Sequence, residues 1–309
     1  MIHLGLIGYP LGHSLSPKLH NAALSYCDLQ GDYSLFPIEP DDVQSLKGLL
    51  GRVRSGEITG LNVTIPHKQH VIPLLDEITE TAQAIGAVNT IYLRNKKLIG
   101  DNTDAPGFLA DLKRFLRQAQ SSTLAPRSGR EPAGARRPGA HLPWRAMPGS
   151  AGVGNRKSAI VLGAGGSARA VVYALLKDGW NVVLAARRIE QAGQLADSFN
   201  NCEIHVTDST LSNIELSPIA LIVNATPVGM SPNMDQSPWP GNIPFPQHAL
   251  IYDLVYNPSQ TKLVKDARIQ GLSAITGRGM LIEQAALAFQ LWTGKQVSQE
   301  IMLSAMEES

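Results

Sequence analysis

Residues 158–188 read SAIVLGAGGSARAVVYALLKDGWNVVLAARR, and the fold turns on this stretch. An apolar run over 158–162 gives way to a glycine turn at 163–166 and then to a helical pattern over 168–177. Gly179 ends that helix, and 181–186 is a second run of strand length. Gly163, Gly165 and Ala168 stand at the spacing G-x-G-x-x-G/A, after a strand and opening a helix. The first glycine allows a tight turn, the second lets backbone approach a pyrophosphate, and Ala168 permits close packing of helix on strand. A pyrophosphate would rest on the N–H groups of the helix start, among Ala164, Gly166 and Ser167. Glycines also mark plain turns, but here strand, helix, second strand and spacing agree on a dinucleotide site.

The end of the second strand selects the nucleotide. A site for NAD places an acid there to bond the ribose 2′-hydroxyl, and a site for NADP has a nearby arginine. This chain has Ala185-Ala186-Arg187-Arg188, with no acid before Glu190. Two guanidiniums capable of bidentate contacts suit a 2′-phosphate, so NADP(H) is the expected cofactor. The alternative is that the two arginines start a solvated helix.

Outward from this stretch the pattern repeats. Toward the N-terminus, 2–7, 33–37, 60–65 and 88–94 read as strands and 16–26, 41–55, 71–85 and 107–118 as helices. Pro17 sits at the start of the first helix, and Asp41 and Asp42 fall in the first turn of the second, where the macrodipole favours carboxylates. Toward the C-terminus, 219–224, 249–254 and 273–276 read as strands and 192–199, 260–269 and 280–292 as helices. Such alternation predicts an α/β protein with a largely parallel sheet. Residues 118–156 break the pattern. Five prolines, many glycines and six arginines against the single acid Glu131 cannot bury enough apolar surface to offset ordering entropy. We read a flexible basic insertion, tolerated at the surface. A nucleic-acid role for it is the weaker alternative.

Composition narrows the class. With 27 Lys+Arg against 26 Asp+Glu the net charge is +1, which removes the basic footprint of a dedicated nucleic-acid binder. Two cysteines, Cys27 and Cys202, cannot build a disulfide framework, and each is expected to be a buried free thiol. His13, His20, His67 and His70 lack a metal-ligand pattern, and Lys68 beside the last two disfavours a bound cation. No metal is expected. The N-terminus has no cationic flank and reads as a strand and turn, not a signal peptide. No stretch approaches the ~18 apolar residues of a membrane helix, so a soluble, cytoplasmic protein is expected, as monomer or homodimer.

Polar residues cluster at turns in the first half. Ser14 and Ser16, one residue apart before a helix, can offer hydroxyls and N–H groups to a carboxylate; Ser16 could equally be an ordinary N-cap. Asn62 and Thr64 share one side of a strand by period-two alternation, and Lys68 follows at the turn, where a lone lysine is usually solvated. Asn89 and the Gly100-Asp101-Asn102-Thr103-Asp104 run complete a set of carboxamides, hydroxyls, one lysine and one aspartate able to read a small polyhydroxylated acid.

The motifs GYPLGHSLSPKLHN, GLNVTIPHK, GAVNT, GDNTD, GAGGSARA, NATPVGM, DLVYNP and GRGMLIEQAA occur in this order. Together they resemble the shikimate dehydrogenase family over nearly the whole chain except 118–156, which is longer than the family's interdomain link. The resemblance implies two α/β domains around a cleft. Residues 1–105 and 278–309 would form the substrate domain, and 106–277 the Rossmann domain. It implies reversible, NADP-linked interconversion of 3-dehydroshikimate and shikimate on the way to aromatic amino acids. By motif, Lys68 and Asp104 match the catalytic pair; Ser14, Ser16 and Thr64 match carboxylate-binding positions. Asn62, Asn89 and Gln284 match groups near the ring hydroxyls, and Tyr256 lines the substrate site. Gly163, Gly165, Gly166, Ala168 and Arg187 match cofactor positions, as do Thr226, Val228 and Gly277. Where the family often has Asn-Arg-Thr after the second Rossmann strand, this chain has Ala186-Arg187-Arg188, and the added charge favours a 2′-phosphate.

Two competing functions are weighed. A dehydrogenase accepting quinate, or using NAD, differs at the carboxylate pocket, and hydroxyl side chains at Ser14, Ser16 and Thr64 favour shikimate. A non-catalytic NADP-binding sensor would have no chemical need of Lys68 and Asp104 together.

Overall fold

The computed structural model describes residues 1–124, 157–199, 204–211 and 213–307. Its first part runs β1 (Ile2–Gly8), α1 (Ser16–Tyr26), β2 (Gly31–Pro37), α2 (Val43–Arg54), β3 (Gly60–Val63), a 3-10 turn (Ile72–Leu74), β4 (Glu77–Ile78), α3 (Glu80–Ile85), β5 (Thr90–Arg94) and β6 (Lys97–Asp101). The six strands form one sheet in the order β2-β1-β3-β5-β6-β4. β1 pairs in parallel with β2 and β3, but β5 runs antiparallel to β3 and β6, so this sheet is mixed rather than largely parallel. The cause is local. Asn95 and Lys96, with φ of 51° and 63°, make a two-residue turn of the primed kind that returns the chain directly beside itself.

The second part runs α4 (Asp104–Leu124), β7 (Ser158–Leu162), α5 (Gly166–Lys177), β8 (Asn181–Ala186), α6 (Ile189–Ser198), β9 (Ile204–Asp208), β10 (Ile219–Asn224), β11 (Leu250–Asp253), α7 (Lys262–Ile269) and β12 (Ala274–Thr276). α8 (Arg278–Thr293) and α9 (Gln299–Glu307) close the chain. This sheet is parallel throughout, and read from β9 its order is β9-β8-β7-β10-β11-β12. That is the doubly wound order 3-2-1-4-5-6, whose reversal point lies between β7 and β10. The α/β class, the two sheets and the Rossmann topology are as the sequence leads one to expect.

Several expectations need correction. Residues 71–85 are not one helix: Pro73 lies in a 3-10 turn, Glu77–Ile78 pairs with β6, and Thr79 caps a new helix by accepting the Ala82 N–H at 3.2 Å. Asp42 precedes α2 as its cap, accepting the Ser45 N–H at 2.9 Å, instead of lying within the first turn. Residues 118–124 continue α4, and the rest of the expected insertion, 125–156, lies outside the described residues. Strands β6 and β9 and helix α9 were not foreseen. Cys27 is a free thiol but half-buried, and Cys202 lies outside the described residues.

Two packing decisions position the site. The C-terminal helices return to the first sheet: Ala285, Ala288 and Phe289 of α8 and Met302 of α9 are fully buried with Leu4 and Leu19. α8 also crosses α4 so closely that a Cβ on Gly107 would lie 2.8 Å from the Gln284 nitrogen. Farther along, the Tyr252 hydroxyl donates to Asp111 at 2.5 Å, tying β11 to α4. Burial holds the Asp111 carboxyl above the usual carboxylate range. No helix among the described residues is long and apolar enough to cross a membrane.

Candidate active site

Lys68 lies between β3 and the 3-10 turn, and Asp104 opens α4. Both are nearly buried, at 7% and 5% exposure, and the Lys68 ammonium donates to Asp104 Oδ2 at 2.5 Å. A lysine this enclosed is not the solvated charge that its turn position alone would suggest. Asn89 supports the pair from β5's leading edge, its Nδ2 donating to Asp104 Oδ1 at 2.9 Å and to Thr103 Oγ1 at 3.0 Å. Its own Oδ1 accepts the Thr103 N–H at 2.7 Å, so both ends of the carboxamide are committed and its orientation is fixed. Asn89 Nδ2 also reaches Gln284 Oε1 of α8 at 3.4 Å.

Asn62 of β3 stands next to this cluster, its Nδ2 donating to the Asn89 carbonyl at 3.3 Å and its Oδ1 accepting the Tyr33 hydroxyl at 2.8 Å. Thr64 lies just beyond β3, half-buried against Gly8, where any Cβ would meet its methyl. At the start of α1, Leu15 rather than Ser16 occupies the cap position and makes no side-chain cap bond. The Ser16 N–H instead donates to Ser14 Oγ at 3.2 Å, and Pro17 is the second helical residue. Burial pushes the phenol of Tyr256, from the loop after β11, above its ordinary value, partly offset by the nearby Leu15 backbone. The structure therefore gathers Lys68, Asp104, Asn62, Asn89 and Gln284 into one hydrogen-bonded group, and sets Tyr256 beside the Ser14–Ser16 turn.

The glycine turn meets this group directly. Lys68 Nζ donates to Ser167 Oγ at 3.2 Å, and a Cβ on Gly166 would lie 3.2 Å from Lys68 Cδ. Gly163 has φ of +106°, which a side chain would strain, and lies against Thr226 at the reversal point. Gly165 caps α5 and has open space where a Cβ would be, so its backbone is approachable. Ala168 is fully buried against the sheet. These features fit a pyrophosphate lying across the start of α5. Arg187 and Arg188 follow β8, both exposed; Arg188 also stands at the cap of α6 without capping it through its side chain.

The Thr226–Val228 loop opposite is held by Asn224, whose Oδ1 accepts the Thr226 N–H and hydroxyl at 2.9 and 2.7 Å. Asn224 Nδ2 in turn donates to Asp253 Oδ1 at 2.8 Å, and burial raises that carboxyl to about 6. Gly277 caps α8, where a side chain would strike the Leu254 carbonyl at 2.3 Å. Residues to which sequence reasoning gave no role are Thr90, Asn224 and His20, which lie inside quoted motifs, and Tyr33, for which no spacing gives a signal.

A family model for the shikimate dehydrogenase substrate binding domain matches residues 6–91, and one for the shikimate 5'-dehydrogenase C-terminal domain matches 277–307. A curated relative, the shikimate dehydrogenase (NADP(+)) of Salinibacter ruber, is 37% identical over 97% of this chain and 95% of its own. The chain belongs to the shikimate dehydrogenase family. Its fold agrees with solved shikimate dehydrogenases. One in complex with NADP+ has a TM-score of 0.81 at 34% identity, covering 100% of this chain and 95% of that one. The Thermus thermophilus enzyme in complex with NADP(H) and shikimate has a TM-score of 0.76 at 33% identity, covering 99% of both.

Proposed function

We propose that this chain catalyses the reversible, NADP-linked interconversion of 3-dehydroshikimate and shikimate, with Lys68 and Asp104 as its proton-handling pair. The observation that carries this reading is the buried Lys68–Asp104 contact abutting the dinucleotide turn at Ser167. NADPH, when bound, supplies the hydride. What the chain supplies is position and charge. As the ketone is reduced its oxygen becomes negative, and the Lys68 ammonium stabilises that charge and delivers the proton. Asp104 orients Lys68 through one oxygen while Asn89 holds the other. Ser14, Ser16 and Thr64 are assigned to the substrate carboxylate, and Asn62, Asn89, Gln284 and Tyr256 to its ring side. The nucleotide is assigned to Gly163, Ala164, Gly165, Gly166, Ser167 and Ala168, with Thr226, Val228 and Gly277 facing it. In domain terms, 1–105 with 278–309 would bind substrate and 106–277 the nucleotide. Packing of α8 and α9 against β1 and α1 supports that division. We place the enzyme in the cytoplasm, as read from the sequence.

The test is initial rates of nicotinamide reduction, crossing shikimate and quinate with NADP⁺ and NAD⁺. Turnover confined to shikimate with NADP⁺ is expected. Turnover of quinate or NAD⁺ at comparable rates would move the chain to the broader quinate/shikimate type, and NADPH binding without turnover in any pairing would make it a sensor.

Arg187 and Arg188 are assigned to the 2′-phosphate. Each charge-assisted guanidinium–phosphate contact contributes about 1.5–3 kcal/mol. The double variant Arg187→Ala/Arg188→Ala should therefore raise the NADP⁺ KM by about 10²–10⁴-fold and leave the NAD⁺ KM nearly as it was. Equal losses for both nucleotides would assign the arginines to the start of α6 instead.

A further inference from the structure

The buried hydroxyl of Tyr33 belongs to none of the roles assigned above, yet three groups assigned to the substrate converge on it. Tyr33 is the one buried residue of β2, whose other side chains are half-buried or exposed. β2 is an edge strand, so this inward side chain is a departure from its surroundings. The Tyr33 N–H is fixed by Asn21 Oδ1 of α1 at 3.0 Å, and the hydroxyl donates to Asn62 Oδ1 at 2.8 Å. Ser16 and Tyr256 also lie close enough to influence the protonation of that hydroxyl. Burial raises the phenol well above 10, so it stays protonated and remains a donor at any working pH.

A carboxamide is nearly symmetric in shape, and its partners decide which end points where. The Nδ2 contacts of Asn62 are long, at 3.3 Å to the Asn89 carbonyl and 3.5 Å to Thr90 Oγ1. The 2.8 Å bond from Tyr33 is therefore the short contact that orients the group. The ring that carries the hydroxyl is itself held: the His20 imidazole stacks on it at 4.5 Å with 4° between planes.

We propose that Tyr33 is a positioning residue for the substrate, setting the orientation of the Asn62 carboxamide beside the Ser16 hydroxyl. This rests on the assignment of Asn62 to the substrate. Losing the hydroxyl leaves Asn62 Oδ1 without its donor in a buried place, and the group turns. The effect falls on binding of the polyhydroxylated acid and spares the nucleotide.

A double-mutant cycle over Tyr33→Phe and Asn62→Ala tests it, with shikimate KM, NADP⁺ KM, kcat and melting temperature measured for all four proteins. Tyr33→Phe should raise the shikimate KM about tenfold, with kcat within about threefold and the NADP⁺ KM within about twofold. In the Asn62→Ala background the same change should move the shikimate KM by less than about twofold, because the group it orients is gone. An unchanged shikimate KM in Tyr33→Phe, while Asn62→Ala raises it, would overturn the inference and leave the site assignment standing. An unchanged KM in Asn62→Ala would overturn both. If Tyr33→Phe melts early, the cycle reads coupling through stability: removing both partners should recover the melting temperature, and no recovery overturns the proposal.

Discussion

Lys68→Met is expected to lower kcat by about 10²–10⁴-fold while the shikimate KM stays within a few-fold. Methionine keeps an unbranched stem of similar length, so the packing of this side chain against Gly166 is preserved. What disappears is the ammonium, and with it both the charge facing the developing oxyanion and the proton delivered to it. Those interactions are made in the transition state, which is why the loss appears in kcat. The variant leaves Asp104 buried at 5% exposure with Asn89 as its remaining donor on Oδ1. Breaking a buried ion pair from one side costs about 3–5 kcal/mol, so the melting temperature should fall as well. Adding Asp104→Asn should restore much of that stability and none of the activity. A folded Lys68→Met protein with near wild-type kcat would remove Lys68 from the proton path.

The second large effect is on acid stability. His20 is fully buried, and neither ring nitrogen has a hydrogen-bond partner among the described residues. Desolvation lowers its pKa to about 3, with the nearby Asn62 side chain pulling slightly the other way. The unfolded chain holds a histidine of ordinary pKa, 6.5. A depressed folded-state value means that the stability it contributes is present above 6.5 and is lost as pH falls from there toward about 3. Across the whole window the loss amounts to about 5 kcal/mol, a large share of a domain's usual margin. His20→Leu places an apolar side chain among Tyr33, Phe289 and Trp292, the rings that surround the imidazole. Denaturant unfolding between about pH 3 and 7 should show the wild type losing stability faster than His20→Leu as pH falls. Parallel curves would mean that His20 takes up its proton in the folded state without penalty.

How much of this was legible beforehand varies by element. β7, β8 and β10 came out to the residue because each is an apolar run whose only polar residue, Ser158, Asn181 or Asn224, stands at one end, in a sheet covered on both faces. β9 did not, because its alternation rests on only two apolar residues, Ile204 and Val206, too short a signal to mark an edge strand. Residues 71–85 misled because Ile72, Leu75 and Ile78 have helical spacing, while Pro73 and the pairing of Glu77–Ile78 with β6 decide otherwise. Within the site, Lys68 and Asp104 were named through motifs, but their burial depends on α4 starting beside the turn after β3. The roles of Tyr33 and His20 could not be read from their positions in the chain. Their roles exist because β2 pairs beside β1 and α1 packs over both, a long-range fact that no local pattern carries.

The meeting of Lys68 with Gly166 and Ser167 has a consequence for engineering. Grafting a glycine turn from another dinucleotide-binding protein would treat it as an interchangeable part. Here the turn is also one wall of the lysine's enclosure: a side chain at 166 would press on its stem, and a different residue at 167 would take away a hydroxyl that its ammonium contacts. On the proposed role of Lys68, a graft made to alter nucleotide binding would therefore retune proton delivery in the same stroke, because both depend on those two positions.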